Sequence, residues 1–456
     1  MDRFDVAVIG AGVTGVATAR RLALAGQRVL LLEKGADILS GASKANSALL
    51  HTGFDAPEGS VELRTMQAGH ADYLALRGAM NLPLLQTGAI VVAWNDAQEA
   101  ALPAILATAH RNGVLDCRML TRSEILLRAP NLSPLARAAV LVPGEHVIDP
   151  WSPFHGYAIE ILAAGGSILR QTTASAGHFD GQTWQIDTNR GRFHAQTIVN
   201  CAGLFGDRID AAFLGHTDFT IKPRKGQFVV FDKASATLLH SIILPVPDAR
   251  TKGVVLTPTI FGNLLVGPTA EETPDRDRPT TTRIGLEKLI LRAVELLPAL
   301  RDMPITATYA GLRPATEFKE YRIRHEAAQN WVTVGGIRST GLTASLGIAR
   351  HVEALLASTL PPRARVAVMP PIMPNLAEHA PRDWQSPDHG EILCHCEMVT
   401  RREVEAALSG SLPAGDLGGL RRRTRCAMGR CQGFNCLCAI EEISRGRLLE
   451  PVGVAQ

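Results

Sequence analysis

Two groups of residues in this chain are spaced for chemistry, one near each end. Near the start, Gly10-Ala-Gly12-Val-Thr-Gly15 follows a short apolar run. The first glycine permits a tight turn, the second lets a diphosphate approach the backbone, and the third lets a helix pack on a strand. A diphosphate seated there meets the free N–H groups and positive dipole end of that helix. Glu33 lies 18 residues beyond Gly15 and ends the next apolar run, where it can accept hydrogen bonds from a ribose diol; Lys34 beside it is a further candidate contact. An acid at this position argues against a 2′-phosphate and so against NADP. Near the other end, Cys394-His-Cys396 is followed 35 residues later by Cys431 and then by Cys436. Four thiolates suit zinc or an iron–sulfur cluster, and C-x-C is an uncommon opening for a zinc knuckle.

The glycine unit alone does not separate FAD from NAD. Two distant segments favour FAD. Residues 197–203 read as a strand running into Gly203, with Asp207 just beyond. Residues 335–347 read as a strand end, a glycine-rich turn carrying Gly336, and a helix start at Gly341-Leu342-Thr343. Such a turn aims backbone N–H groups at the pyrimidine edge of a flavin and stabilises the negative charge that reduction places there.

These groups need elements to hold them. Residues 5–9 form a short apolar strand, residues 15–25 have helical periodicity closed by Gly26, and residues 28–33 form a second strand, together one βαβ unit. Further strands are expected at 89–94, 197–202, 227–232, 264–267 and 331–335, and long helices at 97–112 and 282–297. Pro103 should kink the first of these helices or delay its start. Alternating strands and helices over residues 1–360 indicate an α/β protein. Residues 361–390 carry Pro361, Pro362, Pro370, Pro371, Pro374, Pro381 and Pro387, a density that forbids regular helix and sheet and marks an extended linker. Residues 391–456 form a compact tail with six of the eight cysteines. Within it, Cys426 and Cys438 are surplus small residues, and Arg421-Arg-Arg-Thr-Arg425 reads as a solvated basic face able to raise a nearby cluster's potential and dock an acidic partner.

Composition excludes several classes. The 456 residues carry 47 Lys+Arg against 44 Asp+Glu, so a net charge of +3 gives no global field for nucleic acid. Cysteine is too sparse for a secreted disulfide scaffold. No apolar run approaches the ~20 residues of a membrane span, and no signal peptide precedes the glycine loop. The expected location is the cytoplasm, with any attachment to the inner membrane face made through a partner.

The N-terminal unit continuing into Ser43-Lys-Ala-Asn-Ser47-Ala-Leu-Leu-His51-Thr-Gly-Phe-Asp resembles the D-amino-acid-oxidase/glycerol-3-phosphate-dehydrogenase superfamily of FAD enzymes. Pro223-Arg-Lys-Gly-Gln-Phe228, Lys252-Gly, Pro258-Thr, Gly262-Asn and Gly267-Pro-Thr269 are similar to its branch of glycerol-3-phosphate dehydrogenases and oxidases and L-2-hydroxyglutarate oxidase. The resemblance implies a Rossmann-type FAD domain (about 1–80, 145–220 and 330–360) interleaved with an antiparallel-sheet α+β substrate domain (about 81–144 and 221–329). It implies hydride transfer from a carbon bearing OH or NH to flavin, with His51 near the ring. An imidazole titrates near ~6.5 and can take a hydroxyl proton at neutral pH. Arg313, in Tyr309-Ala-Gly-Leu-Arg-Pro314, and more weakly Lys252, are implied to face the substrate; each could instead pair with an acid such as Glu317 or Asp248. Arg224 and Lys225 could touch ligand or brace the loop, and Ser43 and Ser47 could bond the flavin or cap a helix. Cationic anchors favour a small anionic substrate, phosphate ester or carboxylate.

The cysteine tail resembles the bacterioferritin-associated-ferredoxin-like [2Fe–2S] domain of the A subunit of anaerobic glycerol-3-phosphate dehydrogenase, through Cys394-His-Cys-Glu397 and Arg430-Cys-Gln-Gly433. The resemblance implies a small helical iron–sulfur domain with Cys394, Cys396, Cys431 and Cys436 as ligands. Flavin takes a hydride and a [2Fe–2S] cluster passes single electrons, so the combination implies a dehydrogenase feeding a quinone or a partner redox subunit. The leading expectation is sn-glycerol 3-phosphate oxidation. An L-2-hydroxy-acid dehydrogenase, an opine- or hydroxyproline-type amine dehydrogenase, and a non-catalytic electron-transfer or sensor module are the alternatives.

Overall fold

The computed structural model describes residues 3–247 and 253–453. Its first sheet is built around strand Arg3–Ile9, which pairs in parallel with Val29–Leu32 on one side and Gly191–Asn200 on the other. Ser167–Leu169 extends the first edge in parallel. The long strand Gly191–Asn200 hands over along its outer side, pairing first with the hairpin strand Trp184–Thr188 and then in parallel with Trp331–Gly335. Arg322–Glu326 pairs with Trp331–Gly335, so the chain re-enters this sheet at Arg322. Strand Val29–Leu32 is buried at every position, as a parallel strand covered on both faces must be. Helix Val13–Leu24 covers one face. A Cβ on Gly15 would lie 1.8 Å from Gly10 O, so the third glycine of the loop is what lets this helix sit down.

The second sheet has nine strands and is mostly antiparallel. Arg224–Phe231 lies between Ile305–Arg313 on one side and Leu264–Gly267 on the other; Val255–Pro258, Ile242–Pro245, Ala89–Ala93, Ala138–Val142 and Arg118–Thr121 follow in order. It has its own apolar core of residues such as Val229, Phe231, Leu264, Leu289 and Leu296. A small three-stranded sheet, Leu49–Leu50, His146–Ile148 and Leu84–Leu85, brings the segment ending at His51 against the turn that carries Glu145.

Helix Asp96–Arg111 runs through Pro103, so the proline does not delay its start. The Asn95 side chain accepts from Gln98 N and fixes the N-terminus ahead of it. Residues 361–390 hold no strand or α-helix, only the short 3₁₀ turn Asp383–Gln385. They are nevertheless not a free spacer. Val366 N donates to Leu24 O, Met373 N to Met80 O and Glu378 N to Ile260 O, while Met373, Leu376 and Ala377 are buried in the main core. The segment is a strap tied across the body. The tail that follows folds as a hairpin, Ile392–Cys394 with Val399–Thr400, and three short helices, Arg401–Ala407, Leu417–Thr424 and Leu437–Ser444, around Leu393, Val399, Val404, Leu420 and Ile440. Among the described residues no helix is long and apolar enough to cross a membrane.

Candidate functional site

At the nucleotide end, Gly10 has φ +100°, and a Cβ there would lie 2.6 Å from Cys201 O. Gly12 caps helix Val13–Leu24 without a side-chain hydrogen bond, and Ser43 Oγ accepts from Val13 N at 3.0 Å. Glu33 accepts from Ala11 N and Gly35 N, both at 2.8 Å, and burial pushes its carboxyl pKa up. The acid thus stands on the same loop as the glycines. Lys34 does not join it. Its ammonium pairs with Asp277 at 2.9 Å and lies over the Phe205 ring, so this lysine holds the loop rather than the cradle.

The second glycine turn behaves similarly. Gly203 (φ +54°) follows strand Gly191–Asn200, and Asp207 is taken up by the Arg276 guanidinium at 2.5 and 2.8 Å. Gly336 (φ +67°) leaves strand Trp331–Gly335, and Gly341 opens helix Gly341–Leu355 with no side-chain cap. A Cβ on Gly341 would lie 2.8 Å from the Ile337 side chain. Leu342 packs on the main core, and the Thr343 hydroxyl donates to Leu49 O while accepting from His51 N at 3.0 Å. Neither helix has a capping bond from its own N-cap side chain, although Ser43 Oγ takes Val13 N at the first. Their free N–H groups and dipoles suit a diphosphate at the first and a ring that gains negative charge at the second.

Thr343 ties that second helix to His51. The His51 Nδ1 lies 2.7 Å from Glu145 Oε2, and the fully buried Glu145 also accepts from Thr52 N (2.6 Å) and Thr52 Oγ1 (2.9 Å). Glu145 is a partner of His51 that no local pattern signals, because it meets His51 from 94 positions away. Ser47 is half-buried just before Leu49–Leu50. Arg313 ends strand Ile305–Arg313 and is mostly buried. Its guanidinium donates to Thr269 O at 2.8 Å and more weakly to Arg224 O and Lys225 O. Burial, then the charges of Arg224 and Arg338, lower its pKa to about 10, which still leaves it cationic at neutral pH. Gly226 makes room for it, since a Cβ there would sit 3.2 Å from its Nη2. Glu317 is engaged by Thr220 N, while Lys225 pairs with Glu271 at 3.1 Å and Arg224 with Glu272 at 3.7 Å. These last two cations brace their strand. Arg338 stands in the turn before Gly341, near enough for its charge to act on Arg313 and Tyr321. The glycine signature around it drew attention to the backbone and hid this side chain. Lys252 and Asp248 lie outside the described residues.

In the tail, the thiols meet as two pairs, Cys394 with Cys436 and Cys396 with Cys431, and Cys394 and Cys396 act on each other. Backbone N–H groups of Asn435, Gly433 and Phe434 point at Cys431 and lower its pKa; Ala427 N points at Cys436, and Cys431 N at Cys396. Ala427 and Gln432 take φ of +57° and +51°, which turns the loop so that these donors face inward. Cys426 is buried near Cys394 and Cys436, and Cys438 is exposed. Among the described residues no group of three or more His, Cys, Asp or Glu side chains is placed to hold a metal ion.

The arginine run is not a solvated face. Arg423 binds Asp37 at 2.5 and 3.0 Å, Arg422 donates to Ile38 O at 2.9 Å, and Arg425 binds Glu397 at 2.9 Å while lying over Phe261. Burial opposes ionisation of Asp37, but Arg423 and Arg422 more than offset it and hold the carboxyl at about 2. Arg430 binds Asp232 at 2.7 and 3.0 Å. A buried acid on the body draws the charges inward, because burying either partner alone would leave an uncompensated charge.

A largely parallel sheet core flanked by a glycine loop, two helix N-termini and a histidine held by a buried acid suits a dinucleotide cofactor and redox chemistry. The chain belongs to the FAD dependent oxidoreductase family, whose model matches residues 5–355. It is similar to a glycerol 3-phosphate dehydrogenase of Caloramator mitchellensis, 31% identical over 455 residues, covering 96% of this chain and 93% of the relative. It is also similar to an L-2-hydroxyglutarate dehydrogenase of Indibacter alkaliphilus, 27% identical over 272 residues, covering 59% of this chain and 68% of that one. Among solved structures, dithionite-reduced L-alpha-glycerophosphate oxidase from Mycoplasma pneumoniae with FAD bound superposes with a TM-score of 0.73 at 27% identity, covering 80% of this chain and 97% of the oxidase. The family and the FAD-bound neighbour support FAD as the cofactor.

Proposed function

We propose that the protein is an FAD-dependent dehydrogenase of a small anionic 2-hydroxy compound, sn-glycerol 3-phosphate first, that passes electrons through a [2Fe–2S] cluster to a quinone or a partner subunit. The observation that carries the substrate class is Arg313, a largely buried guanidinium whose hydrogen bonds among the described residues go to carbonyl oxygens. A buried cation without a counter-charge is costly, and a phosphate or carboxylate forking onto it supplies one. Arg338 adds a second charge for the same anion. Glu145 holds Nδ1 of His51, so exchange of the substrate's hydroxyl proton falls to Nε2. As that proton leaves, the hydride on the same carbon leaves too, and the alcohol becomes a ketone. FAD, when bound, takes the hydride.

The dehydrogenase reading is supported by coverage. The glycerol 3-phosphate dehydrogenase relative matches the chain over nearly all its length, whereas the oxidase structure matches 80%, about the share that residues 1–360 make up. An enzyme that delivers electrons to oxygen needs no second redox centre. What supports the cluster is the cysteine pattern itself, together with inward N–H groups that stabilise thiolate sulfur. Cys394, Cys396, Cys431 and Cys436 would hold it.

The test is anaerobic mixing of the holoprotein with sn-glycerol 3-phosphate while flavin absorbance is followed. Bleaching supports the phosphate reading. No bleaching with this compound but bleaching with L-2-hydroxyglutarate moves the assignment to a carboxylate, and bleaching by hydroxyproline moves it to amines. Arg313→Lys keeps the charge but loses the planar fork. Losing one charge-assisted hydrogen bond costs about 1.5–3 kcal/mol, so KM for the anionic substrate rises on the order of 10- to 100-fold, with kcat changed less. A parental KM in this variant would remove Arg313 from the substrate site.

A further inference from the structure

Helix Leu417–Thr424 of the C-terminal module lies directly on the loop that carries the ribose acid Glu33. The approach is close enough to need glycine. A Cβ on Gly415 would lie 1.8 Å from Ala36 O, and one on Gly419 would lie 1.7 Å from the Asp37 carboxylate. Gly415 N also donates to Asp37 at 3.1 Å, and Arg170 donates to Pro413 O at 2.6 Å. This contact carries Arg422 inside. It is 6% exposed, its Nη2 is spent on Ile38 O, and its Nε is buried with no hydrogen-bond partner among the described residues. The nearest acids are otherwise engaged: Asp37 takes both guanidinium nitrogens of Arg423, and Asp416 accepts from Gly419 N. Yet the charge of Arg422 acts both on Glu33 and on Lys44, which follows Ser43. The residue after Ile38, Leu39, donates its N–H to Ala11 O at 2.9 Å, so the Arg422 guanidinium stands one residue from a direct contact with the glycine loop.

We propose that Arg422 is a FAD-binding residue supplied by the C-terminal module, its guanidinium serving the cofactor's diphosphate. A guanidinium offers five fixed donors and a permanent charge, the complement of a diphosphate. The thiol module then does more than carry electrons away, because docking it completes the flavin site and undocking it loosens the flavin. The inference rests on FAD as the cofactor and is independent of the substrate and of the cluster.

The experiment is the rate of FAD release from diluted holoprotein, followed by the return of flavin fluorescence. Arg422→Ala should release FAD at least tenfold faster, and Arg422→Lys, which keeps the charge, should fall between it and the parent. Arg430→Ala removes the module's other anchor, on Asp232, without touching the nucleotide loop, and should release FAD at the parental rate. Arg423→Ala loosens the same docking contact without supplying or removing a diphosphate donor, and should change release less than Arg422→Ala. Parental release from Arg422→Ala overturns the proposal. So does equal acceleration in Arg422→Ala, Arg423→Ala and Arg430→Ala, which would mean that docking alone matters. Far-ultraviolet circular dichroism identifies any variant that fails to fold, and Arg422→Lys then carries the comparison.

Discussion

Replacing His51 with Asn slows anaerobic flavin reduction by the substrate roughly 100- to 10,000-fold, the usual worth of a positioned general base, and leaves FAD content unchanged. The expectation follows from geometry. His51 is held from both sides: its backbone N–H is bound by the Thr343 hydroxyl at the start of the flavin-facing helix, and its Nδ1 by the buried Glu145. The first bond fixes the residue relative to the flavin turn, and the second fixes ring orientation and tautomer, as a carboxylate does behind any catalytic imidazole. Asparagine approximates the shape but cannot accept a hydroxyl proton. Glu145→Gln is the companion variant. It retains an oxygen for Thr52 but weakens the hold on the imidazole, so the limiting rate of flavin reduction falls while the substrate dissociation constant stays near the parental value. Stopped-flow absorbance over a substrate series separates the two quantities. Unimpaired reduction in His51→Asn would sink the base assignment and favour an amine substrate, whose oxidation does not need an alcohol-tuned base.

What was readable in the chain was whatever depends on neighbours in sequence. The glycine loop, its helix and Glu33 form within some 30 residues, so spacing alone identifies them. The misreadings share one physical origin, long-range charge pairing. Arg421-Arg-Arg-Thr-Arg425 has the composition of a solvated face, yet Asp37, 386 positions from Arg423, draws it into the body. Lys34 adjoins Glu33 but pairs with Asp277, 243 positions on. Glu145 could not be named beside His51 for the same reason. The prolines of residues 361–390 already exclude helix and strand; the anchoring of this segment through Met373 and Leu376 depends on a core that its own sequence does not reveal.

Cys431→Ser and Cys436→Ser should each leave flavin reduction by the substrate at the parental rate and abolish turnover with the physiological acceptor. The two halves of the reaction separate because they draw on different residues. His51, Glu145 and Arg313 lie on the body, whereas the thiol pairs lie in a module with its own small core. That module is nonetheless fixed rather than tethered. Arg423 clamps it to Asp37 on the nucleotide side, and Arg430 clamps it to Asp232 on the second sheet. Arg425 bridges Glu397, next to Cys396, to the ring of Phe261, which itself stacks on Trp151 in the body. If the module carries electrons as proposed, its anchoring on Asp37 and Asp232 holds it at one distance from the flavin, and diffusion of the tail would not rescue its loss. Cys426→Ser and Cys438→Ser serve as controls that keep acceptor turnover, since neither belongs to the two thiol pairs. The cluster itself is read by its visible absorbance and its paramagnetic signal after reduction, both expected to vanish in Cys431→Ser and to persist in Cys438→Ser. Acceptor turnover that survives loss of both ligands would mean that electrons leave directly from the flavin, and the module would then be left with its docking role alone.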